Sequence, residues 1–311
     1  MNIQFIICAF VYLCTFSAYT VIAEKSEYTS NTAPMVSWGK CIRIDRFPST
    51  FVQARTIDIL LPQGYNPQQT YHVIYMHDGQ MLFDSTYTWN HQEWQIDEVF
   101  EQYQDSLYET IIVGIWNNNE FRHAEYFPQK ALAYMYDSTK SLFLSEKFKG
   151  KALADNYLHF IVDELKPFID NAFSVSKKPE HTMMMGSSMG GLISLYALCE
   201  YPNVFGAAAG LSTHWIGTTS IDNGDIPRGL ITYISNNLPK AELKRKFYTD
   251  HGTIGLDSLY PNWQTQIDSL FLSKGYDHTQ YMSAIFEDAD HNEEAWSQRL
   301  YVPLLFLLKK P

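Results

Sequence analysis

Two glycines flank a serine at a distance of two residues each, in Gly186-Ser187-Ser188-Met189-Gly190. This G-x-S-x-G spacing constrains the fold more than any other feature of the chain. The run His181–Met185 before it reads as a buried strand. Met189–Cys199 after it is apolar almost all round and reads as a helix packed on a sheet. A strand that turns at once into a helix crowds its own backbone, so the residues two before and two after the turn must be small. Ser188 becomes a candidate nucleophile at a helix N-terminus, where backbone N–H groups and the positive dipole end can meet a developing oxyanion.

Strand-like and helix-like stretches alternate along most of the remaining chain. Arg55–Leu61, Tyr71–His77, Thr110–Trp116, Val204–Leu211, Lys246–Asp250 and Tyr281–Phe286 are short apolar or β-rich runs that end in turn residues. Such runs suit strands covered on both faces of a parallel sheet. Leu153–Phe168, Asp257–Leu272 and Glu293–Leu308 carry helical periodicity between or after them. No internal repeat or linker divides the chain, so one α/β domain is expected over residues 38–311.

The first residues have a different character. Ile3–Leu13 is apolar, no charged side chain precedes Glu24, and Val21-Ile22-Ala23 suits a cleavage site. Residues 1–23 read as a secretory signal peptide, 24–37 as a flexible leader, and the protein as exported, periplasmic or secreted. After cleavage no stable membrane insertion is expected, because the closing Leu304–Leu308 run is too short to span a bilayer. Cys41 and Cys199 then remain, too few for a disulfide scaffold and without zinc spacing. They are expected as separate thiols, with a single bridge as the alternative. A net charge of −11 argues against nucleic acid and anionic membranes as partners.

A nucleophilic serine needs a base, and the base needs an orienting acid, in the order Ser, acid, His for this fold. His291 lies just after the run Tyr281–Phe286 and before the last helical stretch, so it is the candidate base. The acid is expected after Lys246–Asp250, where Asp257 is favoured and Asp250 is the alternative. His251 is expected as a supporting residue. For the oxyanion, Met189 offers one backbone N–H and the turn His77-Asp78-Gly79-Gln80 a second, from Gly79 or Gln80. No cofactor or metal is expected.

The segment Tyr75-Met76-His77-Asp78-Gly79-Gln80-Met81-Leu82-Phe83-Asp84, the Gly186–Gly191 elbow, Gly252-Thr253 through Asp257 and the His291-Asn292 loop resemble an esterase family of the α/β-hydrolase superfamily. That family includes enterobactin esterases, feruloyl and acetyl xylan esterases, the esterase D group and mycolyltransferases. Arg122-His123-Ala124-Glu125-Tyr126-Phe127-Pro128 is similar to a further family segment. The resemblance spans roughly Trp38 to Leu308 and implies a central, mostly parallel sheet flanked by helices. It also implies a serine carboxylic ester hydrolase, with Asp257 in the acid's place.

The substrate is expected to be a small-molecule or oligosaccharide ester, short acyl or aryl on a carbohydrate. A siderophore lactone, acyl transfer to a sugar hydroxyl and a non-catalytic binding module are the alternatives. Two segments are expected to line the pocket, residues 116–150 with Phe121, Tyr126, Phe127, Tyr134 and Tyr136, and residues 212–228 with Trp215. Trp215 is either a stacking platform or a packing residue. Arg122 and Arg228 are candidate partners for a carboxylate.

Overall fold

The β-rich runs form one eight-stranded sheet because each offers apolar side chains to both faces. The computed structural model describes residues 32–86, 88–219 and 224–311, so the signal-peptide and cleavage-site expectations lie outside the described residues. Strands β1 (Lys40–Phe47), β2 (Arg55–Leu61), β3 (His72–His77), β4 (Thr110–Ile115), β5 (Thr182–Ser187), β6 (Ala207–Leu211), β7 (Lys246–Gly252) and β8 (Tyr281–Phe286) stand in the order β1-β2-β4-β3-β5-β6-β7-β8. β1 and β2 run antiparallel to their neighbours, and β4, β3 and β5 to β8 are mutually parallel.

Alternate side chains feed two cores, as the two-residue period of a strand requires. Val73 and Tyr75 of β3, Ile111 and Val113 of β4, and Met184 of β5 point into one. Ile74, Met76, Ile112, Met183 and Met185 point into the other. Helices α2 (Arg122–Tyr126), α3 (Asp137–Lys147), α4 (Ala154–His159), α5 (Lys166–Ala172), α6 (Met189–Glu200), α7 (Asp225–Asn237) and α8 (Pro261–Ser273) supply side chains to the first core. The second is closed by α1 (Ile96–Tyr103), α9 (Glu293–Arg299) and α10 (Tyr301–Leu308). All residues of α6 except Glu200 are buried, in keeping with its apolar circumference. The expected α/β-hydrolase architecture, a mostly parallel sheet between helices in a single domain, is the one observed.

Several boundaries differ from expectation for identifiable reasons. β1 was not anticipated, because Lys40–Phe47 carries three basic residues and an acid among its apolar ones. Residues 32–37 do not behave as a loose leader: Met35 N–H donates to Asp84 and Ser37 N–H to Asp97, and Pro34 is buried. Leu153–Phe168 is interrupted by a π-helical stretch, Phe160–Leu165, just before Pro167, whose missing N–H removes a bond of the regular ladder. The last helical stretch divides at Leu300, three residues before Pro303, into α9 and α10. Cys41 on β1 and Cys199 on α6 are both buried free thiols.

The strand order reverses between β3 and β5. In an open parallel sheet the crevice outside the carboxyl ends at such a switch point is where ligands bind. The loop after β3 and the turn after β5 both open there.

Candidate active site

Ser188 sits between β5 and α6 with φ 55° and ψ −121°, a backbone conformation that costs on the order of 1–3 kcal/mol. Backbone bonds hold it there. Its N–H donates to the Leu211 carbonyl at 2.8 Å, and its own carbonyl accepts from Gly191 at 3.1 Å and His214 at 3.2 Å. The strained serine is thereby fixed to the end of β6 as well as to its own helix. The residue is 8% exposed, and its hydroxyl has no hydrogen-bond partner among the described residues.

The two flanking glycines are not equivalent. A Cβ on Gly186 would lie 2.8–2.9 Å from backbone atoms of Gly190, whereas one on Gly190 would meet the His77 Cβ at 3.3 Å. Gly186→Ala is therefore expected to destabilise the protein by about 1–3 kcal/mol, with Gly190→Ala costing less. Thermal unfolding of the two variants checks this ranking.

Asp257 and His291 meet. His291 Nδ1 lies 2.6 Å from Asp257 Oδ1. A carboxylate only accepts, so Nδ1 carries the proton and Nε2 is left as a base. The other oxygen of Asp257 accepts from Gly252 N–H at 2.6 Å and from the Ser212 hydroxyl at 2.5 Å. Burial works to raise the pKa of Asp257, but the hydrogen bonds from His291 and Ser212 hold it below the ordinary carboxylate value. Asp257 lies in a 3-10 turn, Gly255–Leu259, and does not cap α8, which starts at Pro261. The rings of Trp296 (centroid distance 5.1 Å), Tyr260 (5.9 Å) and His214 (6.3 Å) surround the His291 imidazole. Asn292 caps α9 just after it, accepting from Ala295 N–H.

Asp250 is engaged elsewhere. It is fully buried and accepts from Arg299 at 3.0 and 3.3 Å, from Ser212 N–H at 2.8 Å and from the Tyr248 hydroxyl at 2.8 Å. Burial raises its pKa despite Arg299. Arg299 also donates to the Ser212 hydroxyl at 2.7 Å, and Trp296 donates to the same oxygen at 2.9 Å. With two donors on its oxygen, Ser212 gives its own hydrogen to Asp257. The two acids thus belong to one buried network, with Asp257 facing the imidazole and Asp250 facing the guanidinium. Sequence reasoning missed Ser212, Trp296 and Arg299. The one available signal was Arg299 itself, a cation within a long apolar helical run. His251 lies within the same strand end and bonds its own neighbour, the Gly252 carbonyl, rather than the triad candidates.

On the other side of Ser188 lies the loop that follows β3. The loop residues that lie against the elbow are His77 and Asp78, whose atoms are nearest to Gly190. Gly79 faces β4, where a Cβ would lie 2.6 Å from the Gly114 carbonyl carbon, and the Gln80 side chain accepts from Asn117 N–H. Asp78 has φ 56°, and its carboxylate takes a bidentate pair of bonds from Arg122, both 2.8 Å, and another from Asn117 at 2.6 Å. Burial opposes its ionisation, and the Arg122 guanidinium outweighs it, holding the pKa below the usual value. Arg122 is thus committed to Asp78, and Arg228 pairs with Asp225.

The aromatic residues named for the two loops are mostly core. Tyr126 and Phe127 are fully buried, and Trp215 is 1% exposed with its indole N–H on Gln264. Trp215 is therefore a packing residue. Trp89 is instead the open indole: it is 83% exposed, and its neighbour Asn90 donates to Glu293, two residues beyond His291. A pocket of about 160 Å³ lies beside the loops that follow β6 and β7, lined by Ile216, Thr218, Pro227, Leu259 and Trp263 among others. A larger apolar cavity of about 480 Å³ lies under β1 and β2 against Phe168 and Phe173 and contains none of the candidate catalytic residues. Among the described residues no group of His, Cys, Asp or Glu is arranged to hold a metal ion, and no helix is long and apolar enough to cross a membrane.

Comparison with known proteins adds to this geometry. A family model described as "Putative esterase" matches residues 49–307. The uncharacterized protein YbbA of Bacillus subtilis (strain 168) is 29% identical over 164 residues, covering 52% of this chain and 58% of that protein. The chain thus spans little more than half the length of that curated relative. A solved ferulic acid esterase superposes with a TM-score of 0.61 at 17% identity, covering 86% of this chain and 97% of the other. The enterobactin esterase FES from Shigella flexneri gives a TM-score of 0.63 at 15% identity, covering 90% of this chain and 62% of that one. At these identities the structural likeness speaks for the fold.

Proposed function

The chain belongs to the esterase family whose model matches residues 49–307, and from that premise we propose that it is an exported serine carboxylic ester hydrolase. The observation that carries this reading is the 2.6 Å contact of His291 Nδ1 with a buried, ionised Asp257, in a domain whose switch point holds a strained Ser188. In the proposed reaction Ser188 Oγ attacks the ester carbonyl carbon while His291 Nε2 takes its proton. Asp257 stabilises the imidazolium that forms. The tetrahedral oxyanion accepts from the backbone N–H of Met189, at the N-terminus of α6, and from the backbone N–H of Gly79 or Gln80. The imidazolium then protonates the departing alkoxide, and water, deprotonated by the same imidazole, releases the acid from Ser188.

The proposed substrates are short acyl or aryl esters of carbohydrates. The pocket of about 160 Å³ beside the loops that follow β6 and β7, whose lining contains none of the candidate catalytic residues, has the size of an acetyl group or one aryl ring. The exposed indole of Trp89 offers a face on which a sugar ring can stack. The similar ferulic acid esterase favours an aryl ester, and the similar enterobactin esterase keeps a siderophore lactone as the competitor. Comparative kcat/KM values for acetylated sugar, feruloylated sugar, siderophore lactone and long-chain ester test the choice. A preference of more than about tenfold for the lactone or the long chain, roughly 1.4 kcal/mol in transition-state binding, overturns it. Added carbohydrate acceptor yielding an acylated product in place of free acid would make the enzyme a transferase instead.

Export rests on the uncharged apolar stretch before Glu24. The protein recovered from its native host is expected to begin at Glu24, as read by N-terminal sequencing. Recovery from the membrane with Met1 intact would make that stretch an anchor.

A further inference from the structure

Beside the proposed triad stands a second histidine whose proton is fixed by the fold. His214 follows β6, and its backbone N–H donates to the Ser188 carbonyl at 3.2 Å. Its Nδ1 lies 2.6 Å from the Tyr260 hydroxyl. Tyr260 is fully buried, and among the described residues this is its hydroxyl's one hydrogen bond. Were Nδ1–H the donor, the phenolic hydrogen would be buried without an acceptor, and an orphaned donor costs more than an unused lone pair. Tyr260 therefore donates, Nδ1 accepts, and the ring's own proton sits on Nε2. That nitrogen has no partner among the described residues, and it is not enclosed as His77 Nε2 is. Burial, aided by His291, His123 and Arg122, pulls the His214 pKa to about 3, so the ring stays neutral.

The location decides what such a donor reaches. The scissile oxygen must receive its proton from His291 Nε2, so the alcohol portion of the ester lies against that imidazole. The His214 ring is 6.3 Å from the His291 ring, centre to centre. We propose that His214 is a specificity residue for the leaving group, its Nε2–H donating to a hydroxyl oxygen carried next to the scissile oxygen. A sugar or other polyol supplies that hydroxyl, and a simple alkyl alcohol does not. An alcohol lacking it leaves the N–H unpaired in a site from which bound substrate has displaced water, the situation in which hydrogen-bonding sites discriminate most strongly. The inference rests on the triad proposed above and gives the carbohydrate preference a physical origin that does not depend on ring stacking.

Ethylene glycol monoacetate and propyl acetate test it, since they differ only by a terminal hydroxyl in place of a methyl group. The quantity read is the ratio of their kcat/KM values. The unmodified enzyme is expected to favour the glycol ester by about tenfold, and His214→Phe to bring the ratio to within about twofold of unity. His214→Gln, whose amide N–H reaches the place of Nε2, should restore most of the preference. Tyr260→Phe should weaken it, because Nδ1 then competes for the proton. Thermal midpoints of the variants, with the glutamine variant as the folded control, separate specificity from loss of structure. An unchanged ratio in a folded His214→Phe, or no preference in the unmodified enzyme, overturns the assignment of His214 alone. Inactivity of the unmodified enzyme on both esters counts against the triad itself.

Discussion

Ser188→Ala is expected to bring ester hydrolysis close to background, a loss on the order of 10⁶-fold in kcat. The thermal midpoint should hardly move. Among the described residues the serine hydroxyl has no hydrogen-bond partner to lose, and alanine meets the same backbone strain at φ 55°. The bonds that hold the elbow run through the backbone to Leu211, Gly191 and His214 and survive the substitution. Residual binding and oxyanion stabilisation leave a rate above that of water, so the comparison must be made against the uncatalysed reaction. More than about one per cent of the original turnover in a preparation free of contaminating esterase would remove Ser188 from the mechanism.

Asp257→Asn and Asp250→Asn are expected to fail in different ways. Replacing Asp257 leaves the geometry near His291 but permits the wrong tautomer, and turnover should fall by about 10⁴-fold. Replacing Asp250 removes the carboxylate 3.0 Å from Arg299 and leaves that buried guanidinium with the more distant Asp257 at 3.8 Å; breaking a buried ion pair costs up to about 3–5 kcal/mol. The main effect of Asp250→Asn is therefore a lower thermal midpoint, with turnover of the folded fraction less affected than in Asp257→Asn. Steady-state kinetics and thermal unfolding on both proteins read the two effects separately. A larger turnover loss in Asp250→Asn than in Asp257→Asn would exchange the roles assigned to the two acids.

How much of this was legible beforehand differs from residue to residue. The elbow was legible because its requirement is local: the Gly186 Cβ position is filled by the backbone of Gly190, four residues away. The buried strands were legible because they are covered on both faces and so read as continuous apolar runs. β1 was not, since an edge strand tolerates exposed charges such as Lys40, Asp45 and Arg46, and its one buried cation, Arg43, is matched by Asp58 on β2. In the loop after β3, the sequence signal was the Asp-Gly turn. Which of its residues lies on the elbow depends on β4 passing within van der Waals distance of Gly79, a contact between segments some thirty-five positions apart.

The sequence by itself determined the fold class, the sharp turn at Ser188, and the order in which serine, acid and histidine candidates follow one another. Those features depend on spacing, periodicity and steric demands between near neighbours. The tertiary structure alone decided that Asp257 faces His291 while Asp250 faces Arg299, because the choice turns on Ser212, Trp296 and Arg299 converging from β6 and α9. It also decided that Trp215 is a packing residue and that His214 presents Nε2–H, since both follow from partners forty-six to forty-nine residues away, Tyr260 and Gln264. Hydrogen-bond direction and burial are properties of surroundings. A linear sequence supplies the groups, and only the packed chain supplies what stands opposite them.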